Sequence, residues 1–266
     1  MQVLQAILLG AVQGVSEFLP VSSSGHLRVV QEFFGIADEF GLAFDTMLHI
    51  ATLLAVVVYF RTDILHMTRA FLSTDPACAH DRRLAWLVVI ATIPTGIIGL
   101  SGGDFFETAD ILYVGVAFLV TSAALTVADT LSRKSLHAAE GLGLGRAVLV
   151  GIAQGIAIMP GISRAGATMA MGLGVGLDRE QAARFSFLLS GPIILLAGVN
   201  QGIDVLSGGA VIPGIAASVT GFVAAAVTGY AAIASLMAYL KRHSFAVFAV
   251  YTAVMGVSVL VWRLTG

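Results

Sequence analysis

Six apolar runs, at 44–60, 84–101, 111–129, 185–200, 211–235 and 245–262, are separated by short connections that hold most of the chain's charge. A helix needs about 20 mostly apolar residues to cross a bilayer, and these runs meet that requirement loosely. Lipid offers no partner for exposed backbone N–H and C=O groups, so a spanning segment must satisfy them internally, and a helix does so. Two further apolar stretches, 1–36 and 144–177, do not fit this scheme. The first is interrupted by Leu19-Pro20-Val21-Ser22-Ser23-Ser24-Gly25-His26, the second by Met159-Pro160-Gly161-Ile162-Ser163-Arg164-Ala165-Gly166. The pieces on either side are too short to cross comfortably, and a pair of such breaks predicts hairpins of half-helices that enter and leave the same leaflet.

The charge content agrees. Only 11% of the 266 residues are charged and 58% are hydrophobic, whereas soluble domains carry roughly a quarter charged residues. So little charge cannot coat a soluble globule. The net charge of −2 provides no basic field for nucleic acid. The single cysteine, Cys78, excludes an internal disulfide and a cysteine-based zinc site.

Lysine and arginine set the orientation. Arg61, Arg69, Arg82, Arg83, Arg133, Lys134, Arg146, Arg179, Arg184, Lys241 and Arg242 all fall in connections on one side, while Asp104, Glu107, Asp110 and Asp204 mark the other. Assigning the basic side to the cytoplasm turns the first hairpin toward the outside and the second toward the cytoplasm. At an offset of 141, Gly10, Gln13, Gly14, Ser22, Gly25, Phe44, Leu48 and Leu54 match Gly151, Gln154, Gly155, Ser163, Gly166, Phe185, Leu189 and Leu195. Each half then holds one hairpin and three spans. Three is odd, so the halves, about 1–130 and 142–266, must have opposite topology. The expected fold is an all-α integral membrane protein in one domain, 1–266, with six transmembrane helices and two opposed re-entrant half-helix hairpins in an inverted repeat.

An inverted repeat brings the two hairpin tips together. Ser22, Ser23, Ser24 and Gly25 follow Pro20 in the first tip, and Gly161, Ser163 and Arg164 follow Pro160 in the second. Two helix N-termini and a guanidinium aimed at one centre make an anion site, and the planar fork of Arg164 suits phosphate oxygens. Gln13 and Glu17 share a face of the first half-helix. A carboxylate beside phosphate calls for a cation between them, and Mg²⁺ is the usual one. His26 can exchange a proton near neutral pH, and Ser23, three residues earlier, is a hydroxyl it could activate. Each part also has a plainer use: serines cap helices, a lone membrane His or Glu packs or relays protons, and arginine caps carbonyls. Asp45 and His49, four residues apart, fit a supporting role. Gly10 and Gly14 read as a helix-packing face. The residues alone indicate a polyanion site more firmly than a hydrolase.

The segment Gln13-Gly-Val-Ser-Glu17-Phe-Leu-Pro20-Val-Ser-Ser-Ser-Gly-His26 resembles the first signature of the undecaprenyl-diphosphatase family, the bacitracin-resistance type. Pro160-Gly-Ile-Ser163-Arg164-Ala-Gly-Ala-Thr168 is similar to its second, and the Phe44-Asp45 and Phe185–Leu189 segments also fit. The resemblance implies hydrolysis of undecaprenyl diphosphate to the monophosphate at the outer face of the inner membrane, recycling the lipid carrier for cell-wall synthesis. It implies a divalent cation, Mg²⁺ or Ca²⁺, held by Glu17 and Gln13. By position it makes Glu17, Ser23, His26 and Arg164 catalytic, and Ser22, Ser24, Gly25, Ser163, Gly166 and Thr168 substrate-binding. Gln13 stands where many members have Glu, and Ala165 replaces the second serine of a Ser-Arg-Ser triplet. A polyprenyl-phosphate flippase or inverted-repeat transporter is the alternative. A homodimer is left open.

Overall fold

The computed structural model describes residues 2–36, 40–101, 110–132, 142–207 and 213–265. Among the expected topological markers, Asp104, Glu107, Arg133 and Lys134 lie outside the described residues, as does the side chain of Asp204. The described residues form helices joined by short turns and loops. These are α1 (Gln2–Phe18), α2 (Ser23–Phe34), α3 (Leu42–Tyr59), α4 (Arg61–Ala70), α5 (Ala79–Ser101), α6 (Ile111–Ser132), α7 (Leu144–Ile156), α8 (Arg164–Gly174), α9 (Arg179–Leu206), α10 (Ile215–Leu240) and α11 (Ala246–Thr265).

Among the described residues, helices α3, α5, α6, α9, α10 and α11 are the six that are long and apolar enough to cross a membrane. They coincide with the six apolar runs, extended by a few residues at most ends. Their outward faces are apolar: Val219, Val223 and Val227 on α10, and Val247, Val250, Val254, Val257 and Val261 on α11, are all exposed. A water-soluble protein does not leave valine stripes of this length uncovered. The protein is therefore a multi-pass membrane protein. Helix α4 was not anticipated; 61–83 reads as a connection. Asp63 in its first turn and Arg69 in its last complement the helix dipole, and Asp63 pairs with Arg184 on α9.

The remaining four helices form two broken pairs, α1–α2 and α7–α8, each packed on itself. The first helix of each pair is clamped onto a span of the opposite half: α1 onto α10, and α7 onto α5. Glycine makes both clamps possible. A Cβ on Gly14 would lie 2.0 Å from Thr228 Oγ1 and 2.5 Å from the Ala225 carbonyl oxygen. A Cβ on Gly151 would lie 2.0 Å from the Ala91 carbonyl oxygen. Gly10 meets Gly221 in the same way, so the Gly10–Gly14 face does serve close helix packing. Thr95 Oγ1 donates to the Gly151 carbonyl at 2.8 Å and ties the second seam. Phe18, Phe60 and Phe187 fill the core between the halves. Asp129 is buried, with Oδ1 accepting from Arg179 Nε and Nη2 at 2.9 and 2.8 Å.

Candidate active site

Both breaks are shaped by proline and locked by caps. After α1 ends at Phe18, Ser22 adopts a φ of 71°, a left-handed conformation that costs a non-glycine residue on the order of 1–3 kcal/mol. Three bonds hold it there. Its hydroxyl accepts from Gly25 N at 3.3 Å, and its carbonyl accepts from His26 N at 3.2 Å and His26 Nδ1 at 2.7 Å. In the second break Gly161 takes a φ of 90°, where a Cβ would also meet Ala117 and Val114 at 2.8 Å. Ser163 then caps α8, accepting from Gly166 N at 2.9 Å while its own N donates to Thr121 Oγ1 at 3.0 Å. The tips touch: a Cβ on Gly25 would lie 3.1 Å from Gly161 Cα. The N-termini of α2 and α8 thus converge, as anion binding requires.

Glu17, the penultimate residue of α1, is the hub between them. Its side chain is only 3% exposed. Oε2 accepts from Gln13 Nε2 at 3.0 Å and from Ser23 Oγ at 2.5 Å, and Oε1 is bonded to Arg164 Nη2 of the second tip. His49 Nε2 approaches Oε2 at 3.4 Å. The opposite ring nitrogen, Nδ1, donates to the Asp45 carbonyl at 2.8 Å, which aims Nε2 at the carboxylate. A cavity of about 590 Å³ opens beside this cluster. Glu17, Ser23, Ser24, Asp45, His49, Ser163 and Arg164 supply its polar wall, while Leu42, Ile158, Ile193 and Ile194 supply an apolar one. Such a lining suits an amphiphile: an anionic head against the tips and a hydrocarbon tail between helices.

Of the expected site residues, the fold therefore gathers Glu17, Gln13, Ser23 and Arg164, and sets Ser24 and Ser163 on the cavity wall. Others face elsewhere. The expected Ser23–His26 contact is replaced: Ser23 donates to Glu17, while His26 stacks on Tyr251 and shares a 2.7 Å bond between Nε2 and the Tyr251 hydroxyl. The cause is helical rotation. Three residues along α2, the imidazole points at α6 and α11, where Phe118 also meets its edge. Ser22, Gly25 and Gly166 shape the tips through caps and close approach. The Thr168 hydroxyl is bonded to the Arg164 carbonyl at 2.8 Å and to Ser186. His49 was legible only as a partner of Asp45. Its contact with Glu17 depends on how α3 is turned against α1, and no local signal carries that.

A model of the bacitracin resistance protein family (BacA) matches residues 6–258. The chain belongs to this family. Among bacitracin resistance family relatives, the chain is similar to the undecaprenyl-diphosphatase of Rubrobacter xylanophilus, 45% identical with 94% of each chain covered. It is likewise similar to the undecaprenyl-diphosphatases of Methanosphaera stadtmanae, 40% identical with 98% of each covered, and of a Nocardioides species, 38% identical with 99% of this chain and 97% of the relative covered. The matched span, residues 6–258, takes in both breaks just described, which meet at Glu17 and Arg164.

Proposed function

We propose that the protein is a membrane undecaprenyl-diphosphatase that removes the terminal phosphate of undecaprenyl diphosphate and returns the monophosphate carrier to cell-wall synthesis. The observation that carries this reading is one carboxylate, Glu17, bonded at once to a serine hydroxyl of one tip and a guanidinium of the other, beside a cavity with one polar and one apolar wall. When the diphosphate enters, Arg164 turns from Glu17 to the phosphate oxygens, and the α2 and α8 N-termini add their N–H dipoles. Ser23 Oγ is placed to attack the terminal phosphorus. Its proton passes to Glu17 Oε2, the new O–P bond forms, the bridging P–O bond breaks, and the electron pair leaves with the lipid monophosphate. Water then cleaves the phosphoserine. His49, whose Nδ1–H is held by the Asp45 carbonyl, presents Nε2 as an acceptor for the proton that Glu17 takes up. His26 acts through the tip instead, holding the Ser22 carbonyl so that Ser23 keeps its direction.

Among the described residues there is no group of three metal-ligating side chains, but a cation that draws most of its ligands from phosphate needs fewer. Gln13 Oε1, buried without a hydrogen-bond partner next to Glu17, fits such an ion. Glu17 and Gln13 would hold Mg²⁺ or Ca²⁺, which would neutralise phosphate charge. The swapped clamps, α1 on α10 and α7 on α5, support reading the halves as an inverted repeat with re-entrant hairpins in the inner membrane, and the basic connections support a site open to the outer face. A homodimer is compatible with the exposed apolar flanks, yet the chemistry draws every group from one chain.

The test is phosphate release from undecaprenyl diphosphate by purified protein, with and without chelator, and by Ser23→Ala. Release that is lost in Ser23→Ala, with phosphate trapped on Ser23 in the wild type, is the expected result. Lipid movement across vesicles without phosphate release would indicate a flippase instead.

A further inference from the structure

A second arginine reaches the cavity, and among the described residues no carboxylate lies within ion-pair distance of it. Arg28 lies on α2, five residues beyond Ser23, and lines the same wall as Ser24, one turn before it, and Gln31, one turn after it. Among the described residues it forms no ion pair, and its Nε is buried without a hydrogen-bond partner. Among the described residues the carboxylates lining the cavity are hydrogen-bonded elsewhere, Glu17 to Arg164 and Asp45 to Gln31 Nε2 at 3.0 Å, and Asp45 reaches Arg28 only through its field. A guanidinium set among apolar helices without a bonded anion is expensive, and its planar fork is shaped for phosphate oxygens. A helix rises about 1.5 Å per residue, which places Arg28 roughly 7 Å along α2 from Ser23. Toward that end of α2 the lining turns apolar at Phe40 and Leu42.

We propose that Arg28 holds the lipid-linked phosphate of the diphosphate while the terminal phosphate sits between Ser23 and Arg164. This rests on the phosphatase reading and adds to it a second phosphate subsite, one that makes the enzyme prefer a diphosphate head and retain its monophosphate product. The bond that breaks then lies between two cationic anchors, and Arg28 stays with the departing half.

The experiment compares wild type, Arg28→Gln and Arg28→Lys in zwitterionic micelles, with a polyprenyl diphosphate as substrate and the matching monophosphate as product inhibitor. A charge-assisted bond lost from the bound state corresponds to about a tenfold loss of affinity. Arg28→Gln should raise KM about tenfold, with the larger part of the loss in KM rather than kcat, and weaken inhibition by the monophosphate by a similar factor. Arg28→Lys should recover part of both, which separates a lost charge from a misfolded tip. Values for Arg28→Gln within twofold of wild type overturn the proposal. So does a loss seen only when phosphatidylglycerol is added, because Arg28 would then be serving bulk lipid headgroups. If the wild type releases no phosphate, the phosphatase reading fails by itself. Thermal stabilisation by the monophosphate needs no turnover and still tests Arg28: a tenfold weaker effect in Arg28→Gln supports the subsite, and an equal effect removes it.

Discussion

Consider neutralising the two ends of the inter-tip ion pair separately and together. Glu17→Gln leaves the Arg164 guanidinium, 20% exposed, facing a cavity without its carboxylate. Breaking a buried pair in this way costs about 3–5 kcal/mol, and the partial exposure of Arg164 to the cavity brings the figure down to roughly 2–3 kcal/mol. Arg164→Met strands Glu17, which is only 3% exposed and keeps its bonds from Gln13 and Ser23, so a loss of similar size is expected. The double variant leaves no charge at this pair, and removing a buried pair as a whole is often close to neutral. The two single losses should therefore fail to add by about 2 kcal/mol or more, well outside the roughly 0.5 kcal/mol scatter of independent sites. The assay is the thermal unfolding midpoint in detergent. At about 2–4 °C per kcal/mol for a chain of this size, each single variant should melt roughly 5–10 °C below wild type, and the double no lower than the worse single. All three should be inactive. Midpoint losses that simply sum would refute the claim that these two groups hold the tips together.

Gly151→Ala drives a methyl to 2.0 Å from the Ala91 carbonyl oxygen and should cost about 1–3 kcal/mol in unfolding experiments; Gly145→Ala, with nothing within 4 Å, should be neutral or slightly stabilising, and equal behaviour of the two would contradict the seam. Ser23→Ala should abolish steady-state phosphate release, whereas Ser24→Ala, on the same wall but without a bond to Glu17, should retain it within about tenfold; similar rates for both would leave Ser23 without a special role. His49→Ala should lower kcat about 10–100-fold, the usual range for a group that orients a reacting carboxylate, and wild-type turnover in that variant would remove it from the site. Tyr251→Phe deletes the bond to His26 Nε2 and should reduce kcat by about tenfold or less, because on this reading His26 serves the tip and not the phosphate.

The six spans and two breaks were legible because lipid imposes its demands locally. A run of about 20 apolar residues, a Pro20 or a Pro160, and the cations between runs each signal without reference to the rest of the chain. Gly10 and Gly14 could also be read as packing positions, although not which helix they would meet. What escaped was rotation. Glu17, Ser23 and Arg164 were foreseen as neighbours because the matched breaks imply it, but the directions of His26 and His49 depend on how α2 and α3 are turned about their axes. A span apolar on most of its surface has a weak face preference, so periodicity cannot supply that angle. Helix α4 was missed for the opposite reason: its charge disguised it as a connection.

The crossed clamps bear on how the protein is made. Helix α1 leaves the ribosome well before α10, yet the seam that receives Gly10 and Gly14 belongs to α10, some two hundred residues later. Until α10 is inserted, α1 must wait in lipid or beside the insertion machinery with its glycine stripe bare, and the first tip has nothing to close against. Catalytic competence should appear in one late step during biogenesis. A chain severed between α6 and α7 should regain activity only when both pieces are produced together.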